Sequence, residues 1–166
     1  MQDNSLLCET LQQMAIFGGV DNDALQFLVA RARSCDFPAG SHIAREGEMG
    51  TGLFVLLRGR VAVQRRWGDH EVLLRELDKG ECFGEMALLD LGRRSASILA
   101  LEACTVLEME TGVLHEFFEH DARQFALMQM NIARELSRRL RATFNVLFSA
   151  PTDSQRELIE PVLRRA

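Results

Sequence analysis

Apolar residues recur at helical spacing towards both ends of the chain and fall into short runs in the middle, and this change of period sets the expected architecture. Leu6, Leu7, Leu11, Met14 and Ala15 lie near one face of a first helix, which Asn4 or Ser5 can cap and which runs to about Phe17 before Gly18-Gly19. Asp21 caps a second helix, where Leu25, Leu28, Val29 and Ala32 keep the spacing until the chain reaches Cys35. From Phe37 to Glu110 the texture changes: strands are predicted at Ser41–Arg45, Leu53–Leu57, Val61–Val63, Val72–Leu77, Ala96–Ala100 and Thr105–Met109, with a strand end at Cys82-Phe83. Between them Phe37–Gly40, Glu46–Gly50, Arg58-Gly59, Gly68-Asp69 and Asp78–Glu81 read as turns. Many short strands broken by turns predict a β-sandwich or barrel. Thr111 then caps a helix to about Glu119, and Asp121 caps a longer one to about Phe148. On the long helix Phe125, Met128, Ile132, Leu136, Leu140, Phe144 and Leu147 form a stripe, with Arg134, Arg138, Arg139 and Arg141 on other faces. Such a stripe suits packing across a sheet or against a copy of itself. Pro151 ends the helix, and Asp153 or Ser154 starts a short last one through Leu158 and Ile159, limited by Pro161. The expected organisation is one domain: N-terminal helices over 1–34, a β-rich body over 35–110, C-terminal helices over 111–148 and a tail over 149–166.

Composition narrows the function classes. The 166 residues, 47% hydrophobic and 26% charged, suit a single ordinary core. A net charge of −5 argues against broad nucleic-acid binding, which needs a basic face. Local amides and one Arg can still hold a small anion on an acidic chain. No apolar run approaches the roughly 18–20 residues of a membrane span, and Met1-Gln2-Asp3-Asn4 lacks the character of a signal peptide, so a cytoplasmic location is expected. Cys8, Cys35, Cys82 and Cys104 form no C-x-x-C pair and are expected as free thiols. His42, His70, His115 and His120 do not cluster as metal ligands, and no nucleophile has a paired base. No metal, no catalytic cofactor and no enzymatic activity are therefore expected.

The strongest candidate chemistry lies in Cys82-Phe83-Gly84-Glu85-Met86-Ala87-Leu88-Leu89, followed by Arg93 and Arg94-Ser95-Ala96-Ser97. Gly84 lets a backbone amide approach a ligand closely. A turn exposing consecutive N–H groups makes an anion-binding concavity, and Arg94 adds a planar, permanently charged fork. Glu85 would repel a phosphate, so its natural partners are sugar hydroxyls. Amides, one Arg and one carboxylate together describe a pocket for a sugar phosphate; a plain turn beside a surface Arg is the bland alternative. Arg93 would point the other way on an extended backbone and reads as a solvated charge.

Phe83-Gly84-Glu85-Met86-Ala87-Leu88-Leu89 with Arg94-Ser95-Ala96-Ser97 resembles the phosphate-binding cassette of the cyclic nucleotide-binding domain family, in its catabolite activator-like branch. The resemblance covers roughly residues 5 to 148 and includes Gly47 in Arg-Glu-Gly-Glu and Gly59 in Leu-Arg-Gly-Arg-Val, although turns require such glycines whatever the function. It implies an eight-stranded jelly-roll β-barrel with N-terminal helices and two C-terminal helices, the long one serving as lid and dimer seam. It also implies that Gly84 to Ala87 offer amides to the cyclic phosphate, Glu85 accepts from the ribose 2′-OH, Arg94 neutralises the phosphate and Ser95 donates its hydroxyl. The implied ligand set is Phe83, Gly84, Glu85, Met86, Ala87, Arg94, Ser95, Ala96 and Thr143. A Thr at the place of Ser95 goes with guanine preference, so Ser95 leans the reading to cAMP over cGMP. In the catabolite activator-like branch, Arg138-Arg139-Leu140-Arg141-Ala142-Thr143 matches a run whose Thr reaches the adenine amino group. The next residue departs: that branch has a Ser from the partner subunit, whereas Phe144 here reads as core. The expected function is a non-catalytic cyclic nucleotide sensor, probing cAMP and moving its C-terminal helices. The rival is a degenerate, non-binding interaction scaffold. Expected partners are the nucleotide, a second copy through the long helix and a downstream protein. The helix-turn-helix domain of the transcription-factor branch has no counterpart in the sequence, so no DNA binding is expected from this chain.

Overall fold

Eight strands form two four-stranded antiparallel sheets, with helices before and after them, in a computed structural model that describes residues 2–149. The order is α1 (Gln2–Gln12), a 3-10 turn (Ala15–Phe17), α2 (Asn22–Val29), β1 (Arg33–Phe37), β2 (His42–Ala44), β3 (Gly52–Arg58), β4 (Val61–Trp67), β5 (His70–Leu77), β6 (Cys82–Phe83), α3 (Glu85–Leu89), β7 (Ser97–Ala100), β8 (Cys104–Glu110), α4 (Thr111–His120) and α5 (Ala122–Ser149). One sheet runs β1-β8-β3-β6 and the other β2-β7-β4-β5, so the chain repeatedly changes sheet, and Phe54, Leu56 and Val106 of the first pack with Val61, Leu77 and Ile98 of the second. The expected eight-stranded jelly roll is present, as two four-stranded sheets that do not close into a barrel. The physical reason lies at the edges: β6 has two residues, and β2 has three with an irregular register, too short to carry a ladder between sheets.

β1 was not expected as a strand. Its Ser34 and Asp36 face outward, Arg33 is exposed at the strand end, and only Cys35 and Phe37 pack against the core, so an edge strand of five residues hides its alternation among polar side chains. Pairing in register with β8, from Arg33 opposite Glu108 to Phe37 opposite Cys104, makes it a strand. α2 stops at Val29, leaving Ala32 in the turn before β1.

Two acidic caps hold as expected. Asp21 Oδ1 accepts from Ala24 N, and Asp121 Oδ1 accepts from Gln124 N. Two others do not. α1 begins at Gln2, ahead of Asn4 and Ser5, and ends at Gln12, because Met14 is extended before the 3-10 turn. Thr111 lies inside α4, after Glu110 at the cap position, and both its N–H and its hydroxyl donate to Thr51 O. The hydroxyl thus joins the helix start to the β3 side of the roll instead of capping.

The chain divides into two units, Met1–Asn131 and Ile132–Ala166, with α5 contributing to both. Within the first, the start of α5 is tied to the N-terminal segment by side-chain amides: Gln124 Nε2 donates to Asp21 Oδ2 at 2.6 Å, and Asn131 Nδ2 donates to Ile16 O and Gly18 O. Within the second, Glu135 accepts from Arg138 and Arg139 one turn on, supporting the helix from its own surface. Phe144, expected as core, is 47% exposed. The side chain of Leu147, and the expected break at Pro151 with a helix from Asp153 or Ser154 through Leu158, Ile159 and Pro161, lie outside the described residues. All four cysteines are free of disulfides, and among the described residues no helix is long and apolar enough to cross a membrane.

Gly59 makes the roll possible between β3 and β4. Its φ is +90°, and a Cβ there would sit 2.6 Å from Cys104 Sγ and 2.7 Å from Ala103 O. Gly59→Ala is therefore expected to lower unfolding free energy by about 2–4 kcal/mol in urea titrations, through backbone strain and overlap together.

Candidate functional site

The segment after β6 folds as the local chemistry dictates. Phe83 is buried and stacks on Phe54, with centroids 5.2 Å apart, which ends the strand against the core. The Phe83 ring is committed to the interior, which leaves its backbone as the part that can face a ligand. Gly84 then takes the left-handed conformation at φ +83° and turns the chain into α3. The first-turn amides of α3 have no intrahelical acceptor, as at any helix start. Ala87 is buried against Gly50, where a Cβ would overlap its own. Its amide, not its methyl, is the part available to a ligand. Met86 is exposed and accepts a weak hydrogen bond from Ser95 Oγ at 3.5 Å, so Ser95 stands beside the start of α3.

The loop after α3 brings Arg94 back. Asp90 Oδ1 accepts from Gly92 N, and Leu91 between them is left-handed at φ 54°, a conformation costing an L residue about 1–2 kcal/mol. Arg94 is then fixed by its backbone: Arg94 N donates to Glu48 O at 2.8 Å, and Gly47 N donates to Arg94 O at 2.9 Å. Arg93 is more than a solvated charge. Its Nη1 donates to Gly47 O at 2.8 Å, on the same loop.

Arg94 is the unusual member. It is 6% exposed, and its Nη1 donates to Gly52 O and Gly84 O, both at 3.0 Å. Its guanidinium carbon lies 5.1 Å over the Phe54 ring. No carboxylate forms an ion pair with it among the described residues, and the donors on Nε and Nη2 hold no protein acceptor there. Burial pushes its pKa down from the ordinary value, while the fields of Glu108, Glu85 and Glu48 push it back up, in that order. A desolvated cation held by two carbonyls and a ring, with donors to spare, has the chemistry to hold an anion. Glu85, also 6% exposed, is the adjoining acceptor.

The structure thus brings Gly84, Glu85, Met86, Ala87, Arg94, Ser95 and Ala96 into one small region. Thr143 belongs to the second unit, where its hydroxyl donates to Arg139 O one turn back. Sequence reasoning missed Gly52, Phe54 and Glu108. Gly52 and Phe54 carried no chemical signal, since one acts through its carbonyl and the other through its ring face. Glu108 did carry one: it is a lone carboxylate inside the apolar run of β8. Among the described residues no group of three or more His, Cys, Asp and Glu is placed to hold a metal ion.

The family model for the cyclic nucleotide-binding domain matches residues 35–121. The chain is 31% identical over 140 residues to the CRP-like cAMP-activated global transcriptional regulator of Mycobacterium tuberculosis, covering 84% of this chain and 61% of that one. It is 35% identical over 106 residues to human cGMP-dependent protein kinase 2, covering 61% of this chain and 14% of the kinase. The crystal structure of a cyclic nucleotide-binding domain from Methylobacillus flagellatus KT has the same fold, with a TM-score of 0.80, 18% identity, and coverage of 91% of this chain and 85% of that one. The chain therefore spans less than two thirds of the length of these two curated relatives.

A Cβ at Gly84 would overlap Arg94 Nη1 and lie 3.0 Å from Gly52 O, on a backbone already at positive φ. Gly84→Ala is expected to displace the Arg94 side chain and to cost about 1–3 kcal/mol of stability, read as a lowered melting temperature.

Proposed function

Since this chain belongs to the cyclic nucleotide-binding domain family, we propose that it is a cAMP sensor without catalytic activity, reading its ligand at Gly84–Ala87, Arg94 and Ser95. The observation that carries the reading is Arg94, a buried cation with no carboxylate ion pair among the described residues, beside the first-turn amides of α3. In this reading the guanidinium and those amides take the cyclic phosphate, and Glu85 accepts from the ribose 2′-OH. The phosphate supplies the charge that Arg94 lacks, and the carboxylate reads the sugar that carries it. A carboxylate next to a phosphate is repulsive, so in this reading the pair favours a sugar phosphate over inorganic phosphate.

Base choice rests on weaker groups. Ser95 in place of Thr leaves less to hold a guanine amino group, and Thr143 is the proposed contact to adenine. The sensor's output is a population shift: the ligand favours one arrangement of the C-terminal helices by its differential affinity for it. The half-exposed Leu140 and Phe144, four residues apart on α5, support that helix as the surface for a second copy. Light scattering with and without nucleotide reads the assembly directly.

Calorimetric titration with cAMP and cGMP in parallel tests the function. Wild type should bind cAMP at about micromolar Kd or tighter and ahead of cGMP, and Arg94→Ala should weaken binding about 100-fold or more. An Arg94→Ala Kd within about threefold of wild type would remove Arg94 from the site. Heat from neither nucleotide, with folded protein, would overturn the sensor in favour of an interaction scaffold. On the same titrations, Ser95→Thr should narrow the gap between cAMP and cGMP, and Thr143→Ala should lower cAMP affinity with little effect on cGMP.

A further inference from the structure

Two carboxylates are buried among the described residues, Glu85 and Glu108, and only Glu108 has no part in reading the ligand. It sits on β8 with its neighbours fixed by register: Phe54 of β3 on one side and Arg33 of β1 on the other. Alternation along β8 places it on the face of Val106 and Cys104, which pack into the core between the sheets. Directly paired residues in an antiparallel sheet have Cβ atoms about 4.5–5.5 Å apart, so the Glu108 and Phe54 side chains leave the sheet side by side. The Arg94 guanidinium lies over the Phe54 ring, 5.1 Å from its centroid. On the far side Arg33 donates to a single oxygen of Glu108, from Nε at 3.2 Å and from Nη2 at 2.6 Å. Cys35 Sγ lies 3.8 Å from that oxygen, and Arg33 Nη2 also lies 3.5 Å from Glu110. A row of alternating charge, Arg33, Glu108 and Arg94, therefore crosses the sheet from its exposed edge to the anion site.

We propose that Glu108 is a positioning residue that sets the anion affinity of Arg94, and that Arg33 adjusts this setting from the surface. The inference rests on the reading of Arg94 as the phosphate ligand. Before an anion arrives, the Glu108 carboxylate is the strongest of the fields that keep the buried guanidinium charged and in place. Once an anion is bound, the same carboxylate repels it. Glu108 thus lowers the net positive field that an anion meets at Arg94. Arg33 is mostly solvent-exposed and offsets part of that effect by pairing with Glu108 from outside. Anything that engages Arg33 at the edge of the sheet would release the Glu108 field onto the pocket and loosen the ligand.

Stapling the edge strand β1 to β8 is the plain structural role of the same pair. The two accounts differ in sign. Cyclic nucleotide Kd is measured by calorimetry for wild type, Glu108→Gln, Arg33→Gln and the double variant, with melting temperatures alongside. Charge tuning expects Glu108→Gln to tighten binding by about three- to tenfold and Arg33→Gln to weaken it by a similar factor. In the Glu108→Gln background the Arg33 substitution should lose most of its effect. Added salt should shrink the Arg33 effect, since that side chain faces solvent. Kd values within about twofold of wild type for both variants, or shifts of the same sign, would overturn the proposal and leave the staple. Should Glu108→Gln not fold, Arg33→Gln and Arg33→Lys carry the test, with weakened binding restored in part by Lys as support and an unchanged Kd as refutation. Wild type binding neither nucleotide would instead overturn the sensor reading and the tuning with it. Binding by wild type with unshifted variants would sink the tuning alone.

Discussion

The burial of Arg94 with no carboxylate ion pair among the described residues is the constraint that the rest of the site answers to. A guanidinium taken out of water costs several kcal/mol unless its donors and its charge are met. The fold meets the donors in part, through the carbonyls of Gly52 and Gly84, and leaves the charge to longer-range fields. Each neighbour follows from this arrangement. Gly84 has no Cβ because Arg94 Nη1 occupies that space. Gly50 has none because Ala87 presses against the loop that precedes β3. The strained turn at Leu91 is tolerated because the backbone of Arg94 is clamped by Gly47 and Glu48, which over-determines its position.

The two-sheet roll supplies the rigidity that such a charge needs. Phe54 and Phe83 stack at the end of one sheet and give Arg94 a ring face to rest on, an interaction that costs no donor. The Gly52 carbonyl is presented at the start of β3, which is held on both sides by β8 and β6. A guanidinium on a mobile loop would fold outward into water. Here the loop is anchored at two backbone hydrogen bonds, and the side chain has one pocket to enter. An anion bound there would offset the cost of holding it, and a phosphate would therefore gain more at this Arg than at an exposed one.

Membership in the cyclic nucleotide-binding domain family agrees with this local picture, and the relatives divide over the base: one named for cAMP, another for cGMP. The division is chemically reasonable. Phosphate and ribose are common to both nucleotides, and the groups proposed to meet them here lie in one contiguous segment. The base must be read by other side chains. Glu108 belongs to neither group. It is a property of this sheet and of this chain's Arg33, and it acts on affinity without touching the ligand.

Much of the molecule was legible from residue order alone, and the reason is locality. Gly84, Glu85 and Arg94 lie within one short segment, so a strand end, a left-handed turn, a helix start and a returning cation follow from spacing. Asp21 and Asp121 cap helices because the cap depends on amides only a few residues ahead. Other features required the tertiary structure. β1 is a strand because β8 pairs with it, Thr111 turns to a carbonyl of residue 51, and Phe83 belongs to the core through Phe54. Phe144 is exposed although its spacing is that of a buried stripe, since periodicity states which residues share a face and not what covers it. Arg94 meets its first carbonyl 42 residues away, and Glu108 meets Arg33 at a separation of 75. The sequence by itself determined the chemistry of the site, because the groups are neighbours along the chain. Only the tertiary structure decided that its cation is buried and which carboxylate governs it, because burial and cross-strand pairing arise from register between segments that no local pattern connects.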